Sequence, residues 1–231
     1  MLLNDIQSQN LKLTVFQRNA IIQAIKEARE EFMDRIGSCR LTTKKSLPFF
    51  YSDLVNTRIE DKVIENPNLN LRIYTKKSGF HPYVVIHDYV RQIFVLVSKL
   101  PKYRNIFTPS KCRGDFASSN ITRLTEEGIT EEQIDMVLKN KGSIQLAMTL
   151  NEEEKSPLGL IVTYDEKGET FFEGALSPDQ QNWLFKYEIS YEEVQRVVQT
   201  INNQHVDTEE ATVVLKPSFE IDDTEIEIRL K

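Results

Sequence analysis

The run Ile93-Phe94-Val95-Leu96-Val97 is apolar at every position, and this determines where it can lie in a folded chain. A strand with one face in water alternates apolar and polar residues, whereas a strand that is apolar on both faces belongs inside a sheet. Two β-rich segments precede it, one around Leu71 and Ile73 and one over residues 83–86. The three runs predict an antiparallel meander whose last strand, within residues 90–98, is central.

Helices are predicted before this meander. Thr14 and Gln17 have the spacing of a capping box, and apolar residues then recur at helical spacing until Gly37. A second helix is predicted from about residue 53 to residue 65, where an Asn-Pro pair ends it. Lys76-Lys77-Ser78-Gly79 has the composition of a turn and is expected to separate the first two strands.

The second part of the chain repeats this mixture of helices and short strands. Thr130 and Gln133 form another capping box, and Gly168 falls where a hairpin loop needs a positive φ. The patterns predict a short helix after Thr130, a helix over residues 190–202, and strands over residues 144–150, 158–164, 169–176, 211–215 and 224–230.

Charge is distributed unevenly between two parts of the chain. Residues 1–125 carry 20 Lys and Arg against 11 Asp and Glu, and residues 126–231 carry 9 against 24. We therefore expect an α+β fold of two helix-plus-antiparallel-meander units, a basic half over residues 1–125 and an acidic half over residues 126–231. The boundary is soft, because Gly and Ser cluster over residues 114–130, and a single compact domain is the alternative.

Several classes of protein do not fit this sequence. The apolar runs are far shorter than a membrane span, and the start lacks the features of a signal peptide, so we expect a cytoplasmic protein with no membrane contact. Cys39 and Cys112 are isolated, as suits free thiols in a reducing compartment. Glycine-rich phosphate loops are absent, and no cofactor or metal site is predicted.

The segment over residues 89–114 contains six basic residues and no acidic residue. Cations can follow a phosphate backbone while aromatic faces stack on unpaired bases, so this pattern is typical of a groove for single-stranded nucleic acid. The alternative is a solvated loop whose aromatic residues lie in the core. The candidate binding residues are Arg91, Lys99, Lys102, Tyr103, Arg104, Phe107, Lys111 and Arg113.

These observations favour a non-enzymatic regulatory or interaction protein that binds nucleic acid or a protein partner through its basic surface. The composition, rich in Lys, Ile, Asn and Glu, is typical of compact bacterial accessory proteins, including those carried by prophages. A further hypothesis is that the basic half faces the acidic half, either of the same chain or of a second copy. If the acidic half belongs to a second copy, the attraction between opposite charges would drive self-association.

An enzymatic alternative rests on Asp88, Lys99 and Glu60. Asp88 ends one predicted strand, Lys99 closes the next, and Glu60 lies on the preceding helix. This order resembles the core of the PD-(D/E)xK nucleases, with Val97 where that family has its second metal-binding acid. The resemblance implies a Mg²⁺-dependent nuclease or a degenerate relative that no longer cuts, because an apolar Val97 removes one ligand of the ion.

Overall fold

The computed structural model of the chain describes residues 10–38, 45–78, 81–100, 106–136, 138 and 155–213. Helices precede, separate and follow two groups of strands. In chain order the elements are α1 (Val15–Ser38), α2 (Leu47–Glu65), a 3₁₀ turn (Pro67–Leu69), β1 (Leu71–Ser78), β2 (His81–Asp88), β3 (Ile93–Lys99), α3 (Lys111–Ala117), α4 (Asn120–Glu126), α5 (Glu131–Asp135), β4 (Leu158–Tyr164), β5 (Phe171–Leu176), β6 (Trp183–Ile189) and α6 (Tyr191–Val213).

The strands form one mixed sheet in the order β1-β2-β3-β4-β5-β6. The β3 and β4 strands run parallel, and the other neighbouring pairs run antiparallel. A parallel pair needs a crossover connection, and the chain between β3 and β4 contains α3, α4 and α5. The predicted α+β class is confirmed, and β3 lies inside the sheet as its apolar sequence requires. The division into two units near residue 125 stays a prediction.

One face of the sheet carries the main core beneath α1, α2 and α6. Ile25 of α1, Ile59 of α2 and Leu160 of β4 are buried in one apolar cluster there. The α1 helix begins with the predicted capping box, since Thr14 N donates to Gln17 Oε1 at 3.0 Å and Gln17 N donates to Thr14 Oγ1 at 3.2 Å. The apolar stripe and the cap together fix this helix on the sheet.

The opposite face of the sheet is covered by α3. Phe116 packs there with Val85 of β2 and Leu96 of β3. The helix lies so close to β4 that a Cβ atom on Gly159 would stand 1.9 Å from the Phe116 carbonyl oxygen. Glycine is therefore required at position 159 because no larger residue fits between the helix and the strand.

Several sequence predictions need correction or fall outside the described residues. The predicted strand at residues 211–215 is wrong over residues 211–213, which belong to α6. Pairing extends β1 to Ser78, so Lys76 and Lys77 lie in a strand where we expected a turn. The β6 strand was not predicted. The expected strands over residues 144–150 and 224–230 lie outside the described residues.

Ion pairs connect the basic part of the chain with the acidic part. Arg18 Nε lies 2.7 Å from Glu173 Oε2, and the Glu173 side chain is fully buried. Arg123 lies 3.1 Å from Glu127 and is itself buried. Part of the charge asymmetry is thus neutralised inside the molecule. Among the described residues, no helix has the length and apolar content needed to cross a membrane.

Candidate basic cleft

The pairing register shows where the sheet opens. The β1 and β2 strands are paired along their whole length of eight residues. The β2 and β3 strands are paired only from Asp88 opposite Ile93 to Val85 opposite Leu96, whereas β3 continues beside β4 to Lys99. The outer hairpin therefore separates from the sheet beyond Val85, and a cleft forms between this hairpin and the end of β3.

A first cavity lies between this hairpin and α3, has a volume of about 590 Å³ and is called the lysine cavity here. Lys76 and Lys77 of β1 and Lys111 of α3 line it, and Asp115 of α3 also contributes. Three cations against one carboxylate give the cavity a positive potential that favours an anionic ligand. Its aromatic lining residues are Tyr83, Phe94 and Phe116.

A row of aromatic rings lies beside the lysine cavity and is called the aromatic row. His87 stacks on Phe94, with ring centroids 4.1 Å apart and planes 3° from parallel. Tyr74 lies 5.9 Å from His87 and is 43% exposed. Because side chains two positions apart share one face of a strand, Tyr74 and Lys76 project from the same side of β1. This face of the sheet thus presents aromatic rings and Lys76 together.

The second cavity has a volume of about 610 Å³ and is called the arginine cavity. Lys99 at the end of β3 and Arg113 of α3 line it. Tyr83 lines both cavities, so they are neighbours. Two of the basic residues predicted from the sequence are therefore brought together in the arginine cavity, and a third, Lys111, lies in the lysine cavity.

Tyr83 and Cys112 interact at the boundary between the cavities. Burial, with a hydrogen bond to Cys112, raises the pKa of Tyr83 to about 12. Burial also raises the pKa of the Cys112 thiol above its usual value, although the hydrogen bond from Tyr83 acts in the opposite direction. The thiol is therefore protonated at neutral pH, which argues against a nucleophilic role for Cys112.

Arg91, predicted as a binding residue, is committed to a polar network inside the fold. Its Nε donates to Asp88 Oδ2 at 2.8 Å, and its Nη2 donates to Gln17 Oε1 at 2.6 Å. A further guanidinium nitrogen donates to the Lys12 carbonyl oxygen. These contacts join the β2–β3 turn to the start of α1. Arg91 therefore has a structural role at this end of the sheet, away from the cleft.

The remaining predicted binding residues divide into two groups. The ring of Phe107 packs edge-on against Trp183, with centroids 6.4 Å apart, beside the buried residues Ala117 and Ile161. This position matches the alternative in which the aromatic residue belongs to the core. Lys102, Tyr103 and Arg104 lie outside the described residues.

The structure does not bring together the residues of the nuclease alternative. Asp88 stands opposite Ile93 at one end of β3, and Lys99 lies at the other end. Six residues of strand separate these positions by about 20 Å. Glu60 lies exposed on α2. Among the described residues, no group of three or more His, Cys, Asp or Glu side chains is arranged to hold a metal ion.

Hydrogen bonds already occupy both carboxylate oxygens of Asp88. Oδ1 accepts from the backbone N–H groups of Val90 at 3.1 Å and Arg91 at 3.0 Å, and Oδ2 accepts from Gln17 Nε2 at 2.9 Å. Burial alone would raise the pKa of Asp88, but the hydrogen bonds from Gln17 and Arg91 and the charge of Arg91 bring it below its usual value. Asp88 thus stabilises a turn and an ion pair.

The linear pattern of residues did not indicate the lysines and rings that the sheet brings together. Lys76 was assigned to a turn, although Arg72, Tyr74 and Lys76 alternate with Ile73 as residues of one strand do. Continuing that alternation would have placed a basic and aromatic stripe on β1. Its partners on β2 and β3 depend on the pairing register, which the linear sequence does not contain.

Comparison of the chain with protein-family profiles, with curated proteins and with solved structures gives no match.

Proposed function

We propose that this protein is a non-enzymatic binding protein that holds single-stranded nucleic acid along the lysine cavity and the aromatic row. The observation that supports this best is the placement of Lys76, Lys77 and Lys111 around a cavity whose walls include aromatic rings. Phosphate groups and bases need these two kinds of contact at the same time. The sequence predicted the same ligand, nucleic acid, but placed its contacts in the basic segment over residues 89–114. We now place the contacts on β1, β2, β3 and α3.

The contribution of the three lysines to affinity can be measured from its dependence on salt concentration. A single strand that neutralises three lysines releases counterions with a slope of about −0.7 per contact in log affinity against log salt, or roughly −2 in total. Raising the salt from about 50 to 200 mM should then weaken binding about 20-fold. Nonionic contacts would not respond to salt in this way.

The aromatic row supplies the stacking contacts that distinguish single-stranded from double-stranded nucleic acid. Bases in a duplex are stacked on each other, whereas unpaired bases can stack on a protein ring for about 1–3 kcal/mol each. Tyr74 offers an exposed ring, and His87 and Phe94 continue the row towards the lysine cavity. Binding should therefore favour single-stranded over double-stranded probes of equal charge.

The proposal also covers where in the cell the protein acts. Cys112 is a free thiol, as a reducing compartment requires, and we place the protein in the cytoplasm. Its composition supports a regulatory or accessory role in a bacterium or a prophage. Lys102, Tyr103 and Arg104 lie within five residues of Lys99 in the sequence and would add contacts for the same nucleic-acid strand.

Fluorescence anisotropy with labelled single-stranded DNA and RNA tests the proposal. The triple variant Lys76→Gln, Lys77→Gln, Lys111→Gln should bind at least about tenfold more weakly at low salt and lose most of the salt slope. The matched control replaces three exposed lysines elsewhere, Lys45, Lys155 and Lys167, with Gln. Both variants have the same net charge, so only a local effect separates them.

Equal losses in the two triple variants would show nonspecific attraction and would contradict the proposed surface. If the wild-type protein binds no nucleic acid at low salt, the lysines instead protect an edge strand or face a protein partner. Probes incubated with Mg²⁺ should stay intact, and cleavage would restore the nuclease alternative. Sedimentation of the protein alone would detect self-association through opposite charges.

A further inference from the structure

The arginine cavity lies where β3 extends past its last pair with β2. Its walls come from the end of β3, one side of α2 and the start of α3, and β2 and the end of β4 complete them. Pro48, Ser52 and Asn56 of α2 are four residues apart, so they form a single helix face along the cavity. The opening of the sheet therefore creates a pocket between helices and strands.

Most of the cavity surface is apolar. Val55 of α2 and Leu96 and Val97 of β3 form its inner side, and Tyr51 and Tyr164 add aromatic surface. A volume of about 610 Å³ is within the range of sites that enclose a small organic molecule. Such sites combine an apolar wall with a few charged groups that orient the ligand. The apolar part here suits a flat hydrophobic body.

The charged groups of the cavity are two cations and one carboxylate. Lys99 and Arg113 contribute the positive charges, and Asp53 on the first turns of α2 contributes the negative charge. Lys99 is paired with Glu166 at 3.6 Å, a long contact in which the lysine side chain is 36% exposed. The ammonium group can therefore turn towards a ligand at little cost.

Arg113 has an unused donor. Its Nη2 donates to the Thr108 carbonyl oxygen at 2.6 Å, but its Nε is buried and finds no hydrogen-bond partner among the described residues. Burial also lowers the pKa of Arg113, as expected for a cation that lacks a compensating anion. A buried N–H of a charged group is costly to leave unpaired, and an anionic group beside this guanidinium would compensate its charge.

We propose that the arginine cavity binds a small amphipathic anion, a molecule with a flat apolar body and one carboxylate, sulfonate or phosphate group. The anionic group pairs with Arg113 and Lys99, and the apolar body packs against Val55 and Val97, which lie on the same face of the sheet. This site is separate from the lysine cavity and uses none of its three lysines. The inference therefore does not depend on nucleic-acid binding.

The test uses 1-anilinonaphthalene-8-sulfonate as the probe and N-phenyl-1-naphthylamine, which lacks the sulfonate, as its neutral counterpart. We expect saturable binding of the sulfonate at one site per chain and at least about tenfold weaker binding of the neutral compound. Arg113→Gln should weaken sulfonate binding about 10- to 100-fold, the usual effect of losing a charge-assisted hydrogen bond. The neutral compound should bind the variant and the wild type equally.

A filling variant tests the position of the site. Ser52→Trp adds a bulky ring at an exposed position that lines the cavity and should abolish sulfonate binding. Thr57→Trp, also exposed on α2 but outside the cavity, is the matched control. Near-ultraviolet circular dichroism and the thermal midpoint of each variant establish that the fold is intact.

The result that overturns the inference is sulfonate binding that survives both Arg113→Gln and Ser52→Trp in folded protein. Equal affinity for the charged and the neutral compound would overturn it as well, because the cations would then make no contribution. The Lys111→Gln variant should retain sulfonate binding. If it loses binding while Arg113→Gln does not, the anion occupies the lysine cavity and the assignment to the arginine cavity is wrong.

Discussion

Replacing Asp88 with Asn should destabilise the fold strongly, because the structure gives this carboxylate a fully engaged position. Its side chain is 2% exposed and pairs with Arg91, whose side chain is 22% exposed. Asn keeps the shape but removes the charge, which leaves the guanidinium of Arg91 without its buried partner. Breaking such a pair costs about 3 kcal/mol, and for a chain of this size the thermal midpoint should fall by roughly 6–12 °C.

The assay is urea denaturation with thermal melting, using Asp61→Asn as the control. Asp61 also pairs with an arginine, Arg58, at 3.3 Å, but the two side chains are 41% and 37% exposed. Solvent weakens that pair, so the control should lose less than about 1 kcal/mol. A similar small loss for Asp88→Asn would refute the structural role. A gain in stability would contradict it as well, because the ion pair with Arg91 would then be destabilising.

Acid should remove the stabilisation that the Asp88 carboxylate gives the fold. The pKa of Asp88 in the folded protein lies below its usual value of 3.8, so its stabilising effect is complete above that pH and is lost as the pH falls through the folded pKa. The stability curves of the wild type and Asp88→Asn should therefore differ at neutral pH and converge in strong acid. Curves that stay parallel down to about pH 2 would contradict the argument.

The remaining predictions concern packing and the thiol. Gly159→Ala should cost about 3 kcal/mol in urea denaturation because its Cβ would meet the Phe116 carbonyl at 1.9 Å, whereas Gly37→Ala, with no atom within 4 Å, should be neutral or stabilising. In a Cys39→Ser background, Cys112 should react with iodoacetamide at pH 7 more slowly than a cysteine in an unfolded peptide, as mass spectrometry would show. Burial raises the pKa of its thiol, and a faster reaction would contradict this.

Short sequence patterns were sufficient to predict the elements that depend on contacts between nearby residues. The capping boxes at Thr14 and Thr130 are both formed, and the run over residues 93–97 lies inside the sheet. Each signal involves residues within a few positions of one another or a burial pattern along one strand. Gly168 likewise takes the positive φ, 70°, that its hairpin loop predicted.

Elements that depend on distant contacts were harder to predict. Residues 211–213 contain Thr and Val, which favour strands, yet they extend α6. The α3 helix contains Gly114 and forms where propensity is poor, because Phe116 packs against β2 and β3. The β6 strand pairs with β5 through an irregular register, and its burial does not alternate cleanly. Tertiary packing accounts for α3, and pairing with β5 accounts for β6.

The basic residues of the first half divide according to the chemistry of their side chains. Arg123 is buried and Arg91 is half-buried, and each donates to several oxygens at once, whereas the lysines of the lysine cavity remain at the surface. A planar guanidinium has five donors and can be buried with its acceptors, while an ammonium is strongly hydrated and stays near water. The net charge of residues 1–125 therefore overstates the charge available to a ligand. Substituting these two arginines should alter stability, and substituting the surface lysines should alter binding.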